Sequence, residues 1–250
     1  MTEMGITNEA ENVLICLRND RVEAEVDPKG AFVNRLSIDG ETVLFPRTSE
    51  LPKRGGIPVL GPTPGKVAGT EWGHLYSDER MPQHGTDRVI LWEIANMGDA
   101  QLRLRRYIGP AEFHFAGRKD IDIKLIESGL SMVTTIVNHT GSPKEIGHGL
   151  HPYFDTSHGF DVTTAGLADY FPLEPGKAVV TDGRGLGRIE MVIGGSNFVM
   201  ETNPDPVKIL LWSDKPDQYV CVEPWHADRG SGIIIPAEGS LQISTVIRKI

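Results

Sequence analysis

The sequence predicts an all-β chain folded as one antiparallel β-sandwich or barrel, and three observations carry that expectation. Apolar and polar residues alternate over short runs, the two-residue period of strands that bury one face. Turn chemistry separates the runs, with 28 glycines and 17 prolines spread along the chain instead of gathered in a linker. No window of helical length carries a convincing helical period, and neither a composition shift nor an internal repeat divides the chain. Residues 1–250 therefore read as a single domain.

Taken in order, Asn12–Asp20 (NVLICLRND), Arg21–Gly30 (RVEAEVDPKG) and Ala31–Pro46 (AFVNRLSIDGETVLFP) are strands. Asn-Asp, Pro-Lys-Gly and Asp-Gly turns punctuate them. Leu51–Asp78 keeps no strand pattern, and an irregular stretch of that length in a compact fold is usually functional or disordered. A hairpin is expected where Ile121, Ile123 and Leu125 alternate, the chain turns at Ser128-Gly129, and the pattern resumes at Leu130, Met132, Thr134 and Ile136. Val207–Asp214 (VKILLWSD), Gln218–Trp225 (QYVCVEPW) and Leu241–Ile250 (LQISTVIRKI) read as core strands.

Composition narrows the function. A chain of 250 residues buries roughly 70–75% of its unfolded surface, enough for a core without staples. A net charge of −9 argues against nucleic acid, which requires a basic footprint. Two cysteines, Cys16 and Cys221, make no disulfide framework and favour a reducing compartment. The polar, acidic start (MTEMGITNEAENV) lacks the pattern of a signal peptide, and no apolar run is long enough to span a membrane. The expectation is a cytoplasmic protein, monomeric or weakly dimeric, without nucleic-acid or membrane partners.

Several motifs can be set aside. GPTPGK, Gly61–Lys66, has the wrong spacing for a phosphate loop. GRGLG, Gly183–Gly187, is not a dinucleotide fingerprint, and Ser196 sits in no nucleophile elbow. His139, His148 and His151 are close in sequence, yet no second ligand group shows zinc spacing, so no metal is expected. RLRRY, Arg103–Tyr107, reads as the solvated face of a strand.

Four segments occur in order: RGGIPVLGPTPG (Arg54–Gly65), MPQHGTDRVILWEI (Met81–Ile94), GHGLHPYFD (Gly147–Asp155) and VCVEPW (Val220–Trp225). Together they resemble the aldose 1-epimerase (galactose mutarotase-like) superfamily, and within it the glucose-6-phosphate 1-epimerase, or hexose-6-phosphate mutarotase, branch. The resemblance implies a large antiparallel β-sandwich of the galactose mutarotase-like supersandwich kind. It also implies interconversion of the α and β anomers of an aldohexose, expected as the 6-phosphate, with no metal or organic cofactor. Two departures stand out. Gly61 and Pro64 replace aromatic residues of that branch, and Thr86 and Asp87 replace a Phe-Ala pair. Both are expected where the sugar would lie and so bear on which sugar is bound.

Anomer exchange opens a cyclic hemiacetal and closes it on the other face. One group takes the proton of the anomeric hydroxyl while another protonates the ring oxygen, roles suited to a carboxylate and a histidine. The resemblance places the base at Glu223 and the acid at His151, with Tyr153 and Phe154 helping to bury the imidazole. It puts a sugar-binding histidine at His84, with Gln83 beside it, and phosphate ligands at Arg54 and Arg88, with Lys53 adding charge. The bland alternative for either arginine is a salt bridge, to Asp87 or Asp78. Asp182 is the expected acidic ligand of sugar hydroxyls. Trp72 and Trp225 are candidates for stacking on a sugar face, whereas Trp92 in VILWEI is more simply core. Strand parity points His148 away from His151, and places Glu223 with Cys221 on the face opposite Val220 and Val222. The competing reading is a non-catalytic carbohydrate-binding protein on the same fold. A glycoside hydrolase needs two carboxyl groups across the scissile bond and is discounted.

Overall fold

Ile126 and Gly129 face one another across a two-residue turn at Glu127-Ser128, one position earlier than the sequence suggests. They close the central hairpin, Gly117–Ile126 with Gly129–Asn138. Gly129 itself is needed inside the ladder, because a Cβ there would lie 2.1 Å from the carbonyl oxygen of Ile247. The computed structural model describes residues 14–67, 73, 81–228 and 231–250. A 3₁₀ turn lies at Ala168–Tyr170, and among the described residues no helix is long and apolar enough to cross a membrane.

The hairpin sits inside an eight-stranded antiparallel sheet. Its spatial order is Phe160–Val162, Arg188–Ile193, Ser196–Asn203, Ser240–Lys249, Gly129–Asn138, Gly117–Ile126, Gln101–Ile108 and Glu93–Gly98. A six-stranded sheet runs Val179–Asp182, Lys208–Trp212, Tyr219–His226, His148–Leu150 and Val59–Leu60, with Tyr153–Asp155 also paired to Tyr219–His226. The amino-terminal strands form a four-stranded sheet, Ile15–Arg18, Val22–Asp27, Phe32–Ile38 and Glu41–Thr42. Its last turn is Asp39-Gly40, both at positive φ, the geometry that suits a right-twisted two-residue hairpin.

One buried cluster joins the three sheets: Val26 and Leu36 from the four-stranded, Leu104, Ile121 and Met132 from the eight-stranded, and Leu211, Val220 and Val222 from the six-stranded. This is a β-sandwich, as the alternation predicts. A second cluster, around Phe113, Phe115, Ile136 and Ile146, is closed off by the pairing of Lys144–Ile146 with Ile233–Ile235.

Strand parity also sends charge inward. Arg106 shares a face with Leu102 and Leu104, and Lys119 shares one with Ile121 and Ile123, so both point between the sheets. RLRRY is therefore only partly a solvated face. Arg103 and Arg105 pair with Asp122 and Asp120 near the surface, whereas Arg106 is buried.

Candidate active site

The stretch His148–Asp155 is one strand broken in the middle. His148 pairs with His226 and Gly149 with Trp225; after the break Tyr153 pairs with Cys221 and Phe154 with Val220. Pro152 has no N–H to give the ladder, and the backbone N–H of His151 turns aside to the carbonyl of Pro58, 3.0 Å away. The register is unchanged across the gap, which sets His151 opposite Glu223. On the next strand Leu210 faces Glu223 and Trp212 faces Cys221. The cleft face of the sheet is thus two rows, His151–Glu223–Leu210 and Tyr153–Cys221–Trp212.

The cleft above these rows has a volume of about 1030 Å³ and is lined by His151, Glu223, His84, Gln83, Trp225 and Tyr153, among others. His151 Nε2 lies 3.2 Å from Glu223 Oε1. The other carboxylate oxygen of Glu223 accepts the indole N–H of Trp225 at 3.0 Å. Tyr153 stacks on the His151 ring, at 4.6 Å and 4° between planes. Phe154 takes no part in covering that ring, because it points the other way, into the main core against Phe160.

Burial dominates the electrostatics. It pushes the Glu223 carboxyl well above the ordinary carboxylate range, opposed only by the Trp225 hydrogen bond. It pushes His151 well below its ordinary value, with His84 and Arg88 adding to the shift. Both shifts have one main cause, since burial disfavours the charged form of each group.

His84 is reached differently. It sits at φ 70°, an uncommon conformation for a non-glycine residue, and its backbone is tied on both sides. Its N–H donates to Gly65 O at 2.7 Å, and its carbonyl accepts from Gly61 N–H at 3.1 Å. Its Nδ1 accepts the N–H of Gly65 at 3.1 Å, so the neutral ring carries its hydrogen on Nε2. Gln83 lies 3.2 Å from that Nε2, and a donor there calls for the amide oxygen of Gln83 as its partner. Burial, then Arg88, lower His84 to about 3. It is a neutral donor edge-on to both His151 and Trp225.

Cations outnumber carboxylates on the cleft wall: Lys29, Arg47, Lys53, Arg54 and Arg88 against Asp27 and Glu223. Arg47 lies over the Phe32 ring and pairs with Asp27 at 2.7 Å. Arg54 lies over the Trp212 ring and pairs with Asp214 at 2.8 Å, a partner other than Asp87. Arg88 has no carboxylate partner among the described residues, and burial lowers its basicity. Asp78 and Trp72 lie outside those residues.

Two expectations need correction here. Asp182 is not in the cleft: it lies on the outer strand of the six-stranded sheet, half exposed, and grips Arg184 at 2.6 Å. Its motif forms a turn, and the carboxylate serves that turn. Gly61, Thr86 and Asp87 do not line the cleft either. Asp87 is wholly buried beneath it, bonded to Lys119 at 2.5 Å and to Arg106 at 2.6 Å. A Cβ at Gly61 would stand 2.1 Å from Asp87 Oδ2 and 2.6 Å from Lys119 Nζ, so the two departures are one: the glycine makes room for the ion pair. His148 faces away from the cleft, as strand parity predicts, and stacks with His226.

Sequence reasoning names Tyr153 as cover for His151 and places Cys221 on the Glu223 face, but it does not single out Trp212, which lines the cleft, or Asp214, which holds Arg54. For Trp212 and Cys221 the signal is present as strand parity, but which face carries the cleft is decided by the sandwich.

No protein-family model and no curated protein matches the sequence. Solved structures do match in fold. A Synechocystis sp. PCC 6803 protein, Slr1438, is 20% identical over 100% of this chain and 99% of its own, with a TM-score of 0.80. A galactose mutarotase related enzyme from Lactobacillus acidophilus is 17% identical, over 95% of this chain and 97% of its own, with a TM-score of 0.74. A GalM/aldose epimerase homologue from C. elegans is 12% identical, over 95% and 98%, with a TM-score of 0.68. The chain has the galactose mutarotase-like β-sandwich fold.

Proposed function

We propose that this protein is an aldose 1-epimerase that interconverts the anomers of an aldohexose, with a hexose 6-phosphate as its preferred form. The observation that carries the reading is the contact of His151 Nε2 with Glu223 Oε1, 3.2 Å apart on the floor of a cation-lined cleft. The two oxygens of a hemiacetal share one carbon. An acid and a base that must reach both therefore belong side by side, on one face of the sugar. The likeness in fold to proteins described as mutarotase or aldose epimerase relatives supports the same reading.

In this mechanism Glu223 takes the proton of the anomeric hydroxyl and His151 gives one to the ring oxygen; closure on the other face reverses both transfers. Each such group contributes about 10²–10⁴-fold. His84 and Gln83, side by side on the cleft wall, meet the sugar hydroxyls, and Trp225 offers an apolar wall. Arg88, unpaired among the described residues, binds the phosphate through its guanidinium fork, while Arg54, held by Asp214, adds charge nearby.

The test is saturation-transfer NMR of anomer exchange on glucose 6-phosphate, glucose and galactose in phosphate-free buffer. Acceleration above spontaneous mutarotation by the wild type, lost in Glu223→Gln, supports the epimerase. Sugar binding without acceleration puts the non-catalytic carbohydrate-binding reading in its place.

A further inference from the structure

We propose that Cys221, Glu223 and His151 form a three-ligand site for a thiophilic divalent cation of the zinc class, opening on the cleft. Cys221 Sγ, a Glu223 carboxylate oxygen and a His151 ring nitrogen lie within 4.8 Å of one another, and all three residues are buried. Local structure explains the grouping. Cys221 and Glu223 are two apart on the Tyr219–His226 strand and so share its cleft face, and the broken neighbouring strand brings His151 across from Glu223.

The donor set selects the cation. Sulfur, imidazole nitrogen and carboxylate oxygen together suit Zn²⁺ and its tetrahedral relatives, whereas Ca²⁺ and Mg²⁺ call for oxygen ligands throughout. Three protein ligands with a fourth position open is the usual form of a solvent-accessible zinc site. Here Glu223 and His151 line the cleft, and the thiol sits behind them, beneath Tyr153 and Tyr219.

Charge balance favours the ion. One thiolate and one carboxylate neutralise a divalent cation, so the buried site carries no net charge once loaded, although Arg54 and Arg88 stand near it. Binding displaces the thiol proton to solvent, together with the Glu223 proton where the carboxyl is protonated. The same nitrogen and oxygen lone pairs that would move protons on a sugar are then taken. The cation and the acid–base chemistry exclude each other, and zinc becomes an inhibitor wherever the epimerase reading holds.

The experiment is a Co²⁺ titration of the intact protein followed by absorption, carried out in a Cys16→Ser background so that Cys221 is the sole thiol. The expected result is one equivalent bound, with a thiolate-to-cobalt charge-transfer band and tetrahedral d–d bands that Zn²⁺ displaces. Cys221→Ser removes the charge-transfer band. Glu223→Gln, which retains the side-chain shape, loses tight binding, so the conclusion does not rest on the cysteine variant folding. Absence of a thiolate band in the wild-type background overturns the site, as does tight Co²⁺ binding that survives Glu223→Gln. These spectra require no turnover, so failure of the epimerase reading and failure of the metal site are told apart.

Discussion

Lys119 Nζ and Asp87 Oδ2 lie 2.5 Å apart, and neither side chain has any exposed surface. Arg106 reaches the other oxygen of Asp87 at 2.6 Å and also grips Glu112, which accepts from Thr86. Asp87 is one residue from Arg88 and three from His84. Its backbone N–H is bonded to Gly61 O at 2.8 Å, and its carbonyl accepts the Trp92 indole at 3.0 Å. The charge cluster therefore fastens, from below, the loop that carries His84 and Arg88 into the cleft.

Breaking a buried pair by removing one partner leaves an uncompensated charge, and Asp87→Ala is expected to cost about 3–5 kcal/mol. Gly61→Ala presses a methyl group against the same carboxylate and is expected to cost about 1–3 kcal/mol. Because both changes act on one space, the double variant should be less destabilised than the sum. Denaturant unfolding of the four proteins measures that coupling, and strict additivity would show that Gly61 and Asp87 do not share the space.

Glu223→Gln tests the chemistry with little change of shape. Anomer exchange should fall by about 10²–10⁴-fold. Stability should hold or rise, because burial already disfavours the charged carboxyl. Exchange NMR and thermal unfolding on the same samples separate the two effects.

Arg88→Ala is expected to reduce exchange of glucose 6-phosphate selectively, leaving free glucose nearly as in the wild type. Asp182→Ala, outside the cleft and half exposed, should alter neither substrate. Equal losses on both sugars in Arg88→Ala would assign that arginine to the sugar ring instead of the phosphate.

Acid should destabilise the fold through its buried histidines. The unfolded chain takes up a proton on each histidine as the pH falls through about 6.5. The folded chain keeps His84 neutral down to about 3 and His226 down to about 4, with burial the first cause in both. The unfolded state then binds more protons, so their contribution is intact above pH 6.5 and is lost as the pH falls toward those values. Glu223, raised, works in the opposite sense: its contribution is present below its unfolded value and declines as the pH rises. With His148 and His151 also lowered, the histidines outnumber it, and the melting temperature should drop between pH 6.5 and 4. His226→Asn should flatten that slope.

Much of this molecule was decided locally. The period-two runs from Ile121 to Ile136 set the central hairpin, and Asp39-Gly40 set a tight turn, because side-chain alternation and positive φ are properties of neighbouring residues. The same parity placed Glu223 with Cys221 opposite Val222, and turned His148 from His151. Other features depended on which surfaces meet. Nothing near Asp182 in sequence shows that its strand runs outside the cleft, and nothing near Arg54 names Asp214, 160 residues away, as its partner. Lys119 and Arg106 stand at inward parity, a visible anomaly. Only the sandwich, by bringing Asp87 between them against the bare Cα of Gly61, makes two buried cations tolerable. Local chemistry fixes which way a side chain points. Tertiary structure decides what it meets there, since that depends on strands far apart along the chain.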